Sequence, residues 1–425
     1  MQRTDPRYSH FIQILREELV PAMGCTEPIA IAYGAAKARA VLGKLPDRVQ
    51  VEASGNIIKN VKSVVVPNTG GLKGIEAAAA AGIVAGQADR ILEVISEVSD
   101  AQKQAICDYL ASCDIRVSPS PNDIVFDIIL TLQAGEDTVR LRICDYHTNI
   151  VLIEHNGSVL LDNGRISEQA EGLTDRSCLS VEAILDFAST CDLEDVRDLV
   201  ERQAQYNYAI AQEGLENDWG ANIGSVLRDC YGTDIKTRAR YMAAAGSDAR
   251  MSGCEMPVII VSGSGNQGIT ASVPVIEYAK HLGVSHETML RAVLLSDLLT
   301  IHMKTGIGRL SAYCGAVSAG CAAGAAVAYL HGGGLREIAH TLVNAVAIVS
   351  GMICDGAKPS CAAKIASAVD AGLLGYYMFK SGQQFRGGEG IVTKGVEATI
   401  RNIGRLGRLG MHETDREILR IMTNQ

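Results

Sequence analysis

Aromatic residues are scarce in this chain. Five Phe, thirteen Tyr and one Trp make up 4% of its 425 residues. A core with so few rings must be filled by aliphatic and small side chains. The 43 glycines point the same way, toward closely packed helices and turns that need positive φ. Basic charge is in deficit, with 39 Lys and Arg against 48 Asp and Glu and a formal net charge of −9. Such a chain has no field to draw in nucleic acid or an anionic membrane surface. No Cys-x-x-Cys pair occurs, which removes the finger and ribbon spacings of structural zinc sites. Solenoid repeats and low-complexity linkers are missing too. The first residues, MQRTDPRYSHFIQILREELV, are polar and amphipathic, so no secretion signal is expected. One apolar stretch, 312–330, is long enough to suggest a membrane span, but its Ala, Gly and Ser content reads as a buried helix.

What is present is an ordinary globular balance, 47% hydrophobic and 20% charged, in a chain long enough for a large core and two structural units. Twelve cysteines without a leader read as reduced thiols, hence a cytoplasmic protein. Residues 8–20 and 29–43 carry helical periodicity, and 47–66 alternate as a strand would. An Ala-rich helical pair follows near 72–98. Several short strand patterns between 115 and 162 predict an antiparallel sheet with helices on one side. Beyond about residue 180 the pattern is helical, over 180–190, 193–214, 218–230, 269–282, 286–302, 310–330, 335–350 and 359–378, with glycine-rich joints such as GSDARMSG. The expected fold is α+β. Helices in 1–45 join the catalytic part, 46–175 forms a smaller α/β unit containing the antiparallel sheet, and 176–425 forms the large helical unit. Ala- and Gly-rich helix faces make a homodimer an expectation.

Two cysteine-bearing strings stand out. In GCTEP, Pro28 suits the first turn of a helix and Thr26 or Glu27 can cap it. Cys25 then lies at a helix N-terminus, where the dipole favours thiolate, either to ligate iron or to carry protons. In CDGAKPSC, Cys354 and Cys361 flank a Gly and a Pro, so the backbone turns and both sulfurs can reach one soft metal centre. Asp355 and Lys358 in that loop could orient a zwitterionic substrate. Cys314 opens the small-residue helix, whereas Cys321 in AGCAAG reads as packing. Scattered thiols suit a cluster with one open iron better than a closed zinc site.

The run GSGNQG (263–268) matches a dinucleotide fingerprint, but helix follows helix here and no second parallel strand is in place. Backbone N–H groups at a helix start, with Ser264 and Asn266, are better suited to a carboxylate. SGN with HGGGL (331–335) also fits a pyridoxal-phosphate eliminase, for which Lys236 would be the nearest Schiff-base lysine. Other polar clusters each read singly as a turn or cap. Together they name Thr26, Asn56, His147, Asn149, Ser247 and Arg250 as further candidates for holding a small amino acid.

In this order, GCTEP, HTNIV, SDARM, SGSGNQGITA, the Cys314 helix and GMICDGAKPSCAAKI resemble the L-cysteine desulfidase family, relatives of the iron–sulfur L-serine dehydratases. The resemblance spans nearly the whole chain. It implies an oxygen-sensitive [4Fe–4S] cluster held by three cysteines, with one iron left for substrate. Cys314, Cys354 and Cys361 match the dehydratase ligand order, and Cys25 matches a further desulfidase cysteine, as ligand or acid–base group. The activity implied is β-elimination of L-cysteine to pyruvate, ammonia and sulfide. L-serine dehydration on the same cluster, a pyridoxal-phosphate eliminase and a non-catalytic iron–sulfur sensor are the alternatives.

Overall fold

The computed structural model describes residues 1–122, 124–164, 173–308 and 310–423. Residues 165–172, near the end of the expected 46–175 unit, lie outside the described residues. The N-terminal third runs α1 (Pro6–Glu18), β1 (Pro21–Met23), α2 (Thr26–Leu42), β2 (Arg48–Ala53), α3 (Gly55–Val61), α4 (Gly74–Ala85) and α5 (Asp100–Ser112). Five strands follow, β3 (Asp114–Pro119), β4 (Asp127–Ala134), β5 (Asp137–Cys144), β6 (Ile150–His155) and β7 (Ser158–Asp162). The remainder is helical except for one short strand. It comprises α6 (Val181–Thr190), α7 (Arg197–Glu216), α8 (Ile223–Tyr231), α9 (Ile235–Met251), β8 (Pro257–Ile259), α10 (Gly265–Leu282) and α11 (His286–Ile307). The last helices are α12 (Gly315–Leu330), α13 (Leu335–Val349), α14 (Cys361–Lys380), α15 (Val396–Arg405) and α16 (His412–Thr423), with a π turn over Leu406–Gly410. The class is α+β.

The larger sheet has the order β3-β2-β4-β5-β6-β7. Its antiparallel expectation needs one correction, because β2 and β3 pair in parallel and the sheet is mixed. The intervening helices α3 to α5 make the crossover that a parallel pair requires. On β4 the alternating Ile128, Leu130 and Leu132 are fully buried. Helix α2 packs on that face, where a Cβ on Gly34 would lie 2.6 Å from Leu130. The strand pattern over 47–66 is corrected as well, since it breaks at Ser54 and NIIKN forms α3. Likewise SDARM, taken as part of a joint, is the last turn of α9. No helix among the described residues is long and apolar enough to cross a membrane, and the 312–330 stretch becomes α12, buried along most of its length.

Small residues set the geometry that matters most. A Cβ on Gly320 would lie 2.4 Å from the Ala368 carbonyl carbon, and one on Gly324 would lie 2.3 Å from the Gly372 oxygen. Residue 320 therefore meets 368 and 324 meets 372, so α12 and α14 run parallel at near-backbone contact. Parallel packing brings their N-terminal ends, Cys314 and Cys361, to the same end of the pair. The stripe of Gly and Ala is thus a positioning device for two cysteines.

Candidate active site

Cys314 is the N-cap of α12 and Cys361 the first residue of α14. Cys354 arrives by a short antiparallel pairing, in which Cys314 N–H donates to the Met352 carbonyl at 3.2 Å and Cys354 N–H to that of Ala312 at 2.7 Å. All three thiols line a cavity of about 110 Å³. Burial, with the charge of Cys354 next, pushes the Cys314 thiol up to about 12. Burial also raises Cys361. The loop between Cys354 and Cys361 turns at Gly356, φ +98°, where a Cβ would lie 2.3 Å from the Lys59 carbonyl oxygen. Only glycine fits there.

Cys25 reaches the same cavity from the N-cap of α2. Gly24 before it has φ +57°, and a Cβ would strike Pro67 at 2.2 Å. The expected dipole-stabilised thiolate is corrected. Burial pushes the Cys25 thiol well up, the Glu27 charge adds to this, and Arg250 only partly opposes it. Its Sγ donates to Glu27 Oε2 at 3.1 Å, while Asn60 Nδ2 donates to Oε1 at 3.0 Å. Burial would raise Glu27 also, but His147, Cys25 and Arg250 outweigh it and hold the carboxyl below its usual value. The thiol proton thus sits beside an ionised acceptor.

Arg250, at the end of α9, is 3% exposed, and its Nε has no hydrogen-bond partner. It lies over Gly265 at the start of α10, where a Cβ would meet Nε at 2.4 Å. The Glu27 carboxylate offsets part of its charge, and the unpartnered Nε leaves one donor for an incoming anion. Four helix N-termini, those of α2, α10, α12 and α14, contribute residues to the wall, and their dipoles favour the same charge. Lys59, Lys304 and Lys364 line the cavity as well, against one carboxylate, Glu27, in a chain of net charge −9. Asp415 pairs with Lys59 and Asp355 with Lys364 behind this wall, so the lining is basic but partly neutralised.

Of the expected substrate residues, His147, Arg250, Ser264 and Asn266 line the cavity. His147 comes from the β5–β6 connection, with its ring edge-on to Phe126 at 4.8 Å. Thr26 instead ties two loops together, donating to the Gly263 carbonyl at 3.0 Å. Asn149 donates to the Cys144 carbonyl and serves its own turn. Asn56 and Ser247 do not line the cavity. Neither do Lys358 and Asp355, whose expected catalytic placement is corrected. Lys358 Nζ donates to the carbonyls of Asp355 and Gly356. Burial would raise the Asp355 carboxyl, but Lys358 and Lys364 pull it down to about 2. The pair staples the loop rather than facing a ligand. Sequence reasoning missed Glu27, Asn60, Ser262, Gln267 and Tyr313. Asn60 was within reach, because on a helix it lies one turn beyond Asn56.

The donor set fits an iron–sulfur cluster. Among the described residues no group of three or more His, Cys, Asp or Glu is close enough for a single metal ion. A cluster spreads its ligands, because each sulfur binds a different iron. Cys314, Cys354 and Cys361, lining one cavity, are donors of the soft class that such a cluster takes.

The family model for the serine dehydratase alpha chain matches residues 87–420. A UPF0597 protein of Desulfitobacterium hafniense (strain Y51) is 62% identical over 425 residues, covering 100% of this chain and 99% of its own. UPF0597 proteins of Lachnoclostridium phytofermentans and Treponema denticola are 50% and 46% identical, each covering 98% of this chain and 100% and 98% of their own. The motif resemblance named the narrower desulfidase group, and the matches carry the broader one. By this matched span and these identities, the chain belongs to the serine dehydratase alpha chain family.

Proposed function

We propose that the chain is an iron–sulfur lyase that removes the β-substituent of a small L-amino acid, with Cys314, Cys354 and Cys361 holding a [4Fe–4S] cluster. The observation that carries this is the meeting of three thiols with the buried Arg250 guanidinium, whose Nε is unpartnered, in one cavity. The cluster, when bound, supplies a Lewis-acidic iron that polarises the substrate. Arg250 and the N–H groups opening α10 bind and orient the carboxylate, with Ser264 and Asn266 beside them. Cys25 and Glu27 form the proton-accepting pair beside Cα, with the carboxylate ionised and holding the thiol by the hydrogen bond it accepts. As the Cα–H pair forms the double bond, the β-substituent leaves with its own electron pair. Aminoacrylate tautomerises and adds water, giving pyruvate and ammonia.

L-cysteine, releasing HS⁻, is the substrate favoured by the motifs. L-serine, releasing HO⁻, is favoured by the family match, and both give the same products otherwise. A reduced cytoplasmic setting and a homodimer belong to this proposal. The pyridoxal-phosphate alternative loses its residues. Lys236 is exposed, with Nζ 5.1 Å from the Tyr377 ring centre, and neither it nor the 331–335 loop lines the cavity. Anaerobic purification, a visible spectrum before and after dithionite, and a pyruvate assay with L-cysteine and L-serine form the test. Cys354→Ser is expected to lose both the brown absorption and turnover. Full turnover in that variant would sink the scheme, and colour without pyruvate from either amino acid would point to a sensor.

A further inference from the structure

Gln267 occupies the first turn of α10 and lines the cavity, yet nothing in the motif set gave it a role. Its side chain is 4% exposed, and Oε1 has no hydrogen-bond partner. A buried carboxamide left this way costs about 1–3 kcal/mol unless a ligand completes it. The group cannot easily turn away. A Cβ on Gly315 would lie 2.7 Å from Gln267 Cδ and 2.8 Å from Nε2, so the amide is pressed against the residue that follows Cys314. Behind it, a Cβ on Gly268 would lie 2.0 Å from the Ile259 carbonyl, which Asn207 holds at 3.0 Å. The start of α10 is fixed on both sides.

These contacts give Gln267 a definite place along a bound substrate. Arg250 lies over Gly265, two residues earlier, and marks the carboxylate end. Gly315 marks the cluster end. A small amino acid anchored by its carboxylate at Arg250 extends its β-substituent toward Cys314 and the Gln267 amide. We infer that Gln267 is a specificity-determining residue, hydrogen-bonding the β-substituent and favouring a hydroxyl over a thiol. A hydroxyl is a full donor and acceptor, whereas a thiol is weak in both roles. The neutral amide suits this position, because a charged group there would compete with the carboxylate or with the cluster. This inference rests on the β-elimination proposal and selects L-serine within it.

The test compares the wild-type holoenzyme with Gln267→Met, which keeps the length and removes the hydrogen bonds. The ratio of kcat/KM for L-serine to that for L-cysteine is expected to fall by about tenfold, as one neutral hydrogen bond warrants. Iron content per chain and the denaturant midpoint of the variant report separately whether it folds and loads. Calorimetric binding of 2-methylserine and 2-methylcysteine, which lack the Cα proton and cannot eliminate, should show the same fall in ratio. Equal losses for the two members of each pair would overturn the role, making Gln267 a general support of the cluster or carboxylate. Should Gln267→Met fail to fold, Gln267→Leu is a second neutral replacement without hydrogen bonds; the same fall in ratio there supports the role, and equal losses for the two substrates overturn it. Wild-type protein that binds the methylated pair but yields no pyruvate from either amino acid instead overturns the lyase proposal.

Discussion

Asp297 in α11 is wholly buried, and the hydrogen bond it accepts comes from Gln203 Nε2 at 2.8 Å. Burial pushes its carboxyl up to about 8. A free aspartate titrates near about 4, so between those values the unfolded chain has released a proton that the fold still holds. The contribution to stability is full below about pH 4 and drains away as pH rises toward about 8, at up to about 1.4 kcal/mol per pH unit. Asp297→Asn keeps the shape and the acceptor oxygen while removing the titration. Denaturant unfolding at several pH values should show a flatter slope for the variant between about pH 5 and 8; an unchanged slope would mean the native carboxyl is already ionised. The same logic of burial against partners separates the cysteines. Cys321 resides in α12 as a core residue, whereas Cys314, seven residues earlier, caps that helix at the cavity.

At the scale of elements, the parallel pairing of α12 and α14 sets where Cys314 and Cys361 stand. A Cβ on Gly372 would lie 2.1 Å from the Gly320 carbonyl oxygen. Gly372→Ala gains about 0.5–1 kcal/mol of helix propensity but overpacks the crossing by about 1–3 kcal/mol, so the clash wins. The variant should unfold at lower denaturant and bind less iron per chain than wild type. Normal iron content with wild-type stability would show that the close crossing does not position Cys314 and Cys361. The helices near these residues were legible because Ala-, Leu- and Ile-rich runs keep a 3.6 period. Helix α3 was not, since Ile57, Ile58 and Val61 are β-branched and only Ser54, Gly55 and Asn56 separate them from a true strand. Helix α9 hid behind GSD, which in another setting caps a turn; here Ser247 and Asp248 are buried in its last turn, and Asp248 accepts from Gly224 N–H at 3.0 Å. The cysteine set was legible from loop chemistry. Gln267 and Glu27 were not, because their meaning depends on cavity walls built from distant segments.

For the whole molecule, the last described helix closes what the first ones begin. Asp415 in α16 pairs with Lys59, which is 2% exposed and also reaches the Cys354 carbonyl. The other Asp415 oxygen accepts from Ala312 N–H at 2.9 Å, next to the segment that carries Cys314. Asp415→Asn leaves a buried ammonium without its counter-charge, a loss of about 3–5 kcal/mol. Hydrogen exchange should then quicken across α16 and α3 and spread to 311–314; exchange confined to α16 would argue that its docking is independent of the cavity. Contributions to the cavity come from residue 25 at one end, from Lys59 and its Asp415 partner, and from segments near 147, 250, 264, 314 and 354 between them. Such a site has no local precursor. A ribosome must release almost the entire chain before these parts can meet, so the cluster proposed for this cavity would have to be loaded into a finished fold rather than a growing one. On that proposal, a cell making the chain faster than it supplies the cluster would hold a colourless form that awaits loading.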